Sequence, residues 1–231
     1  MKIIVKNNYR EMSEEAFKLF KSSLRDAEVL GFATGSTPKL LYEMLSAQCL
    51  AGKISFKGKL SFNLDEYYPI KSTDPDSYRT YMENNLFKNI DLDRIRINFP
   101  DSELDADVAV RQYAAAYRSA GPIDLQILGI GRNGHIGFNE PGSGRESRIR
   151  LVTLSEDTIA RNGTSLHQAI TMGVKEILES RKIMLLASGE DKSDAIAKVV
   201  WGRVTETVPA SFLKDHPDTV LIIDKGAASG L

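Results

Sequence analysis

The chain has 231 residues, of which 42% are hydrophobic and 26% charged, and its formal net charge is −1. This length suits one α/β domain over residues 1–231, and the near-zero charge without a dense Lys/Arg run argues against a nucleic-acid partner. No apolar stretch reaches membrane-spanning length, and residues 1–10 lack the apolar core of a signal peptide. The single cysteine fits a reducing compartment. We therefore expect a cytoplasmic protein without a membrane partner.

Short apolar runs alternate with amphipathic segments along the chain. The predicted strands are 2–5, 29–34, 60–64, 125–128, 148–154, 183–187 and 219–223. The predicted helices are 12–24, a segment that begins at Pro38, 77–87, 107–119, part of 168–179, and 192–200. Ser13 and Thr37 are the expected caps of the first two helices. This alternation predicts an α/β fold: a mostly parallel sheet with helices on both faces, a Rossmann-like three-layer sandwich.

Four predicted strands end in unusual polar or glycine-rich segments. These segments are 34–38, 64–67, 129–141 and 187–192. In a parallel sheet the carboxyl ends of neighbouring strands share one edge, where ligands bind in open α/β folds. We therefore expect the four segments to form one site.

The segment 129–141 contains Gly129, Gly131 and Gly134 directly after a strand, the spacing of a dinucleotide-binding fingerprint. That fingerprint needs a helix that opens at the third glycine and an acidic residue at the end of the next strand. Gly137 and Pro141 oppose such a helix, and the next strand has no acidic residue at its end. The segment is therefore interpreted as an active-site loop.

Two segments offer contacts for a phosphate group. Gly35, Ser36 and Thr37 precede a helix, and their backbone N–H groups and hydroxyls suit an anion, although an ordinary capped helix start has the same pattern. Lys192 begins another helix after a glycine turn and is either a second phosphate contact or a solvated lysine.

Acid–base chemistry is suggested by two further segments. Asp65 lies at a strand end beside tyrosines and is a candidate general base, with a pKa raised by partial burial; a turn carboxylate is the alternative. His135 lies between glycines, and Asn133 or Glu140 could fix its tautomer. The scattered histidines do not form a metal-binding pattern.

The sequence resembles the glucosamine-6-phosphate deaminase family (also called glucosamine-6-phosphate isomerase) from about residue 28 onward. The matching segments are 33–38 (ATGSTP), 63–67 (NLDEY), 129–141 (GIGRNGHIGFNEP), 168–173 (QAITMG), 189–192 (GEDK) and 209–213 (PASFL). The related 6-phosphogluconolactonases share the fold and the glycines but typically not the continuation FNEP.

The resemblance implies a hydrolase that converts glucosamine 6-phosphate and water to fructose 6-phosphate and ammonia, without a metal or organic cofactor. It implies that His135 opens the sugar ring, that Asp65 moves a proton from C2 to C1, and that Asn133 and Glu140 orient His135. Gly35, Ser36, Thr37 and Lys192 are then expected to hold the phosphate. A monomer or small homo-oligomer is expected, because the chain ends soon after its last strand, whereas longer relatives carry a C-terminal extension.

The segment after Asn162 departs from the family. Members usually continue with Ser-Arg-Phe-Phe and a longer loop, and that arginine contacts the phosphate; here Thr164 takes its place. Three explanations remain open: the lid is shortened and one phosphate contact is lost, Arg161 substitutes for that contact, or a loop is missing from this sequence. The change keeps two alternatives open: a deaminase for galactosamine 6-phosphate or another amino-sugar phosphate, and a sugar-phosphate-binding protein without catalysis.

Overall fold

The computed structural model describes residues 1–160 and 162–231, and the side chain of Arg161 lies outside the described residues. The strands are β1 (Lys2–Lys6), β2 (Val29–Phe32), β3 (Leu60–Asn63), β4 (Asp65–Tyr68), β5 (Ile97–Asn98), β6 (Leu125–Leu128), β7 (Arg150–Thr153), β8 (Gln168–Thr171), β9 (Ile183–Ala187) and β10 (Thr219–Asp224). The helices are α1 (Tyr9–Leu24), α2 (Lys39–Leu50), α3 (Tyr78–Asn85), α4 (Ala106–Ala120), α5 (Glu156–Asn162), α6 (Val174–Leu178) and α7 (Ser193–Trp201).

Seven strands of the described chain form one sheet in the order β1-β10-β9-β6-β2-β3-β5, and every pairing in it is parallel. The central strands are buried on both faces, as their continuous apolar runs predict. Helices α1, α2 and α3 pack on one face through residues such as Phe20, Leu41 and Met82. Helices α4, α6 and α7 cover the other face, with Tyr113 and Ile196 in the core. The predicted three-layer α/β sandwich is confirmed.

A second sheet, β4-β8-β7, is antiparallel and was not predicted. The expected strand at 148–154 exists as β7 but belongs to this sheet. The segment 168–179 contains the expected helix as α6, but its first residues form β8, a strand that was not predicted. The helical part of that segment begins only after Gly173. The backbone N–H of Met172 donates to the Leu64 carbonyl at 2.7 Å, which ties the small sheet to the end of β3.

Two predicted helix caps are wrong. Helix α1 begins three residues early, at Tyr9, because Asn8 accepts the Glu11 N–H at 2.9 Å, and Ser13 is buried inside the helix. The cap position of α2 is Pro38, which provides no side-chain hydrogen bond. The hydroxyl of Thr37 is therefore not engaged in capping the helix. No helix in the described chain is both long and apolar enough to span a bilayer.

Candidate active site

A cleft of about 440 Å³ lies at the carboxyl edge of the parallel sheet. Strands β9, β6, β2 and β3 are consecutive neighbours in this sheet, so the segments that follow them meet there. The cleft is lined by Ala33, Thr34, Gly35, Ser36, Thr37, Pro38, Leu64, Asp65, Tyr78, Gly129, Ile130, Gly131, Arg132, His135, Gly137, Phe138, Asn162, Asp191 and Lys192. The four segments expected to converge therefore share one cleft.

The loop after β6 folds tightly around His135. The N–H of Gly131 donates to the His135 carbonyl at 2.9 Å, and the imidazole packs directly on Gly131, where a Cβ would lie 2.3 Å from Cε1. No helix opens at Gly134; turns and an isolated bridge between Ile136 and Asn139 follow instead. Gly131 allows the backbone to pack closely on the imidazole, and Gly134 packs on Val208 instead. The dinucleotide fingerprint lacks its helix.

Of the two partners that the sequence suggested for the imidazole, Glu140 faces the ring, whereas Asn133 contacts Glu140 and the backbone N–H of His135. Nδ1 of His135 lies 3.4 Å from Oε1 of Glu140, and Asn133 donates from Nδ2 to Oε2 of Glu140 at 2.6 Å. Burial alone would raise the pKa of Glu140. The interaction with His135 and the hydrogen bonds from Thr158 and Asn133 outweigh the effect of burial, and together they lower the pKa of Glu140 to about 2. An ionised carboxylate that faces Nδ1 favours a proton on that nitrogen, which leaves Nε2 of the neutral ring toward the cleft as the acceptor.

Asp65 lines the cleft and is 5% exposed. Burial, and then the neighbouring charge of Glu66, raise the pKa of Asp65 to about 8. Gly137 covers this carboxylate: its φ is +56°, and a Cβ there would lie 3.2 Å from Oδ2 of Asp65. A buried carboxylate that releases its proton near neutral pH can act as a general base.

Glu66 has a different role from Asp65. Its carboxylate accepts the N–H groups of Tyr67 at 2.9 Å, Tyr78 at 2.8 Å and Arg79 at 2.8 Å. Two of these donors belong to the first turn of α3, so Glu66 supplies the anion that a helix amino terminus favours. Glu66 is a structural carboxylate that fixes α3 beside the cleft.

The turn of Gly35, Ser36 and Thr37 also lines the cleft. Tyr81 donates its hydroxyl to the Gly35 carbonyl at 2.6 Å, and Tyr9 donates to the Ser36 carbonyl at 3.1 Å. Both carbonyls are thereby held by tyrosines, and the turn presents the amino-terminal end of α2, which favours an anion.

Lys192 reaches the same cleft from the position that precedes α7, and its side chain is 21% exposed. Its Nζ lies 3.9 Å from Oδ2 of Asp191, which also accepts a 2.8 Å hydrogen bond from Nε of Arg132. Two cationic side chains therefore flank one carboxylate at the cleft. The expectation for Arg161 falls outside the described residues.

Several cleft residues were not singled out from the sequence. Phe138 and Tyr78 form a stacked pair with ring centroids 5.8 Å apart, and Asn162 donates to the hydroxyl of Tyr67 at 2.9 Å. Arg132 lies inside the segment 129–141, where a cation among glycines is a signal for an anion contact, whereas Tyr78 and Asn162 come from segments without a chemical motif. His167 is exposed and His216 is buried in a hydrogen-bonded packing position, as expected. The described residues include no cluster of three or more His, Cys, Asp or Glu side chains that could hold a metal ion.

Residues 7–222 match the model of the family described as glucosamine-6-phosphate isomerases/6-phosphogluconolactonase. The chain belongs to this family. A glucosamine-6-phosphate deaminase of Clostridium botulinum (strain Langeland) is 45% identical over 241 residues, covering 100% of this chain and 99% of the relative. One of Shewanella woodyi is also 45% identical, covering 100% of this chain and 91% of the relative. Because these matches extend over 241 positions and the chain has 231 residues, each relative has at least ten residues that this chain lacks.

Solved structures of the family have the same fold. A monomeric glucosamine-6-phosphate deaminase superposes with a TM-score of 0.96 at 38% identity, covering 100% of both chains. A 6-phosphogluconolactonase from Trypanosoma cruzi superposes with a TM-score of 0.84 at 21% identity, covering 100% of this chain and 96% of that one. The second likeness concerns the fold alone.

Proposed function

We propose that this chain is a glucosamine-6-phosphate deaminase, which converts α-D-glucosamine 6-phosphate and water to fructose 6-phosphate and ammonia. The observation that carries the proposal is one cleft that holds both a buried carboxylate of raised pKa, Asp65, and an imidazole paired with an ionised carboxylate, His135 with Glu140. The deaminases of Clostridium botulinum and Shewanella woodyi, which match over the full chain, support the same substrate.

His135 acts first in the proposed reaction. It takes the proton of the C1 hydroxyl and returns a proton to the ring oxygen, so that the C1–O5 bond breaks and an open-chain aldehyde forms. Glu140 stabilises the protonated imidazole in this step, and Asn133 holds Glu140 in place through its 2.6 Å hydrogen bond.

Asp65 acts second. It removes the C2 proton of the open-chain sugar while the C2 ammonium gives a proton to the aldehyde oxygen, so that an enolamine forms. Asp65 then returns its proton to C1. The resulting C2 imine takes up water and releases ammonia, leaving the ketone of fructose 6-phosphate. Because the C2 proton is weakly acidic, its removal needs a base stronger than an ordinary carboxylate. The raised pKa of Asp65 makes this carboxylate a stronger base. No metal or organic cofactor takes part in these steps.

The phosphate is assigned to the turn of Gly35, Ser36 and Thr37 and to Lys192, with Arg161 as a further candidate contact. The amino-terminal end of α2 and the Lys192 ammonium support this assignment, because both line the cleft and both favour a dianion. Binding energy from the remote phosphate then orients C1 and C2 toward His135 and Asp65.

The test is to incubate the purified protein with glucosamine 6-phosphate and to measure ammonia and fructose 6-phosphate in separate coupled assays. We expect the two products in equal amounts, and their loss in Asp65→Asn. A panel with galactosamine 6-phosphate and 6-phosphogluconolactone separates the related activities. Ligand-induced thermal stabilisation without turnover would instead indicate a sugar-phosphate-binding protein and overturn the proposal.

We also propose that the protein acts in the cytoplasm as a monomer. The monomeric deaminase of the same fold supports this state, and its whole length is covered by this chain. Light scattering after size-exclusion chromatography should give a mass close to 25.6 kDa. A larger mass would contradict the monomer.

A further inference from the structure

Thr158 contacts the His135–Glu140 pair from outside the loop that carries it. It lies in α5, is 4% exposed, and donates its hydroxyl to Oε1 of Glu140 at 2.5 Å. Thr158 lies 18 residues beyond Glu140 in the sequence. Its contact is therefore made by the packing of α5 against the loop.

The two oxygens of Glu140 are held by different partners. Asn133 donates to Oε2, whereas Thr158 donates to Oε1, the oxygen that faces Nδ1 of His135 at 3.4 Å. A carboxylate bound through one oxygen can rotate about its last bond, and a second donor on the other oxygen prevents this. Thr158 thus fixes the oxygen that the imidazole needs.

The hydroxyl of Thr158 has a defined direction. Ser155, the residue that caps α5, donates its hydroxyl to Oγ1 of Thr158 at 3.0 Å and accepts the Thr158 N–H at 3.2 Å. Because the Thr158 oxygen receives a proton from Ser155, its own single proton is left for Glu140. The order of donation runs from Ser155 through Thr158 to Glu140.

We propose that Thr158 is a positioning residue for ring opening: its hydroxyl orients Glu140 so that Glu140 can orient His135. The role in ring opening rests on the proposed deaminase function. Thr158 does not line the cleft, so it acts through Glu140 and not on the sugar. Loss of the hydroxyl should therefore affect turnover more than substrate binding.

The experiment compares Thr158→Val, which keeps the side-chain shape without the hydroxyl, with Thr158→Ser, which keeps the hydroxyl. Thr153→Val, at an exposed position in β7, is the matched control. For Thr158→Val we expect kcat to fall about tenfold, the loss of one charge-assisted hydrogen bond, with KM changed by less than about twofold. Thr158→Ser and Thr153→Val should stay within about twofold of the unaltered protein in both constants.

A second readout needs no substrate. Carbon-13 NMR of the Glu140 carboxyl, assigned with Glu140→Gln, should show its pKa raised by about one unit in Thr158→Val and restored in Thr158→Ser. An unmoved Glu140 titration, or a serine variant as impaired as the valine variant, would overturn the proposal. If the unaltered protein shows no turnover, the deaminase assignment fails while the carboxyl titration still tests the contact. If Thr158→Val does not fold, Thr158→Cys, a weak donor, carries the same expectation.

Discussion

Glu66 accepts three backbone N–H groups, whereas its neighbour Asp65 accepts no hydrogen bond from the part of the chain that the structure describes. Both carboxylates are buried, at 1% and 5% exposure. Hydrogen bonds stabilise the ionised form of Glu66 in part, while Asp65 has only burial and a like charge acting on it, and both raise its pKa. One carboxylate holds the fold and the other is available to take a proton.

The first prediction is that kcat/KM rises with pH through about 8, because Asp65 must be ionised to act as a base and its pKa is raised to that value. The measurement is kcat/KM for glucosamine 6-phosphate between about pH 6 and 9.5 in buffers of constant ionic strength. We call this rise of kcat/KM with pH the activity limb. An activity limb with its midpoint near the ordinary aspartate pKa of 3.8 would contradict the assignment of Asp65 as the base.

The second prediction is that Asp65→Asn is inactive but more stable at alkaline pH. The folded protein keeps the Asp65 proton up to about pH 8, whereas the unfolded chain releases it near 3.8. Unfolding of the unaltered protein therefore becomes easier as pH rises between these values, by about 1.4 kcal/mol per pH unit from this group. Asparagine does not titrate, so urea denaturation should show the advantage of the variant growing up to about pH 8 and levelling above it. A pH-independent difference would contradict the burial of an unpaired carboxylate.

The third prediction concerns Glu66→Gln. One oxygen of Glu66 accepts the N–H groups of Tyr67 and Tyr78, and the other accepts that of Arg79. Glutamine keeps only one oxygen, so one of these two sets of donors loses its acceptor. The free energy of unfolding should therefore fall by about 1–3 kcal/mol. Removing the like charge should also lower the pKa of Asp65 and move the activity limb to lower pH. Glu103→Gln, at an exposed acceptor of the Ser72 N–H, is the control and should leave the limb in place. An unshifted limb in Glu66→Gln would rule out the coupling.

The layers of the fold could be predicted because buried parallel strands are continuous apolar runs, such as 183–187 and 219–223. The convergence of Asp65 and His135 followed from the same parallel arrangement, which places strand ends at one edge. The principal strands and the central polar residues were therefore accessible from sequence.

The second sheet could not be predicted because β4 and β8 pair across about a hundred residues and are only four residues each. Their register, with Asp65 opposite Thr171, has no local signal, and Gln168 to Thr171 reads equally well as the start of a helix. Thr158 was missed for a related reason: its contact with Glu140 exists only after α5 has packed against the loop.

The fourth prediction uses Gly137→Ala. The positive φ of +56° strains any L side chain, and the new Cβ would approach Oδ2 of Asp65 and Oγ1 of Thr171 at 3.2 and 3.1 Å. We expect a stability loss of about 1–2 kcal/mol from the backbone and a larger loss of kcat from the displaced carboxylate. Gly142→Ala has a similar backbone penalty, with φ of +98° and nothing within 4 Å of its Cβ, and should lose stability without the same loss of kcat. Equal kcat in the two variants would show that the position of the Asp65 carboxylate is not critical.

The fifth prediction separates phosphate binding from chemistry. Lys192 lines the cleft from the position that precedes α7, and Lys198 lies exposed within α7 outside the cleft lining. Lys192→Met and Lys198→Met therefore remove one ammonium each from nearby positions, only one of which is at the cleft. If Lys192 holds the phosphate, its loss should raise KM for glucosamine 6-phosphate by about tenfold or more, because a charge-assisted contact to the remote phosphate is removed. Part of that binding energy orients C1 and C2, so kcat should also fall, though by less. Steady-state kinetics should leave Lys198→Met within about twofold in both constants. A KM unchanged in Lys192→Met would place the phosphate elsewhere in the cleft, with Arg132 as the next cation to replace.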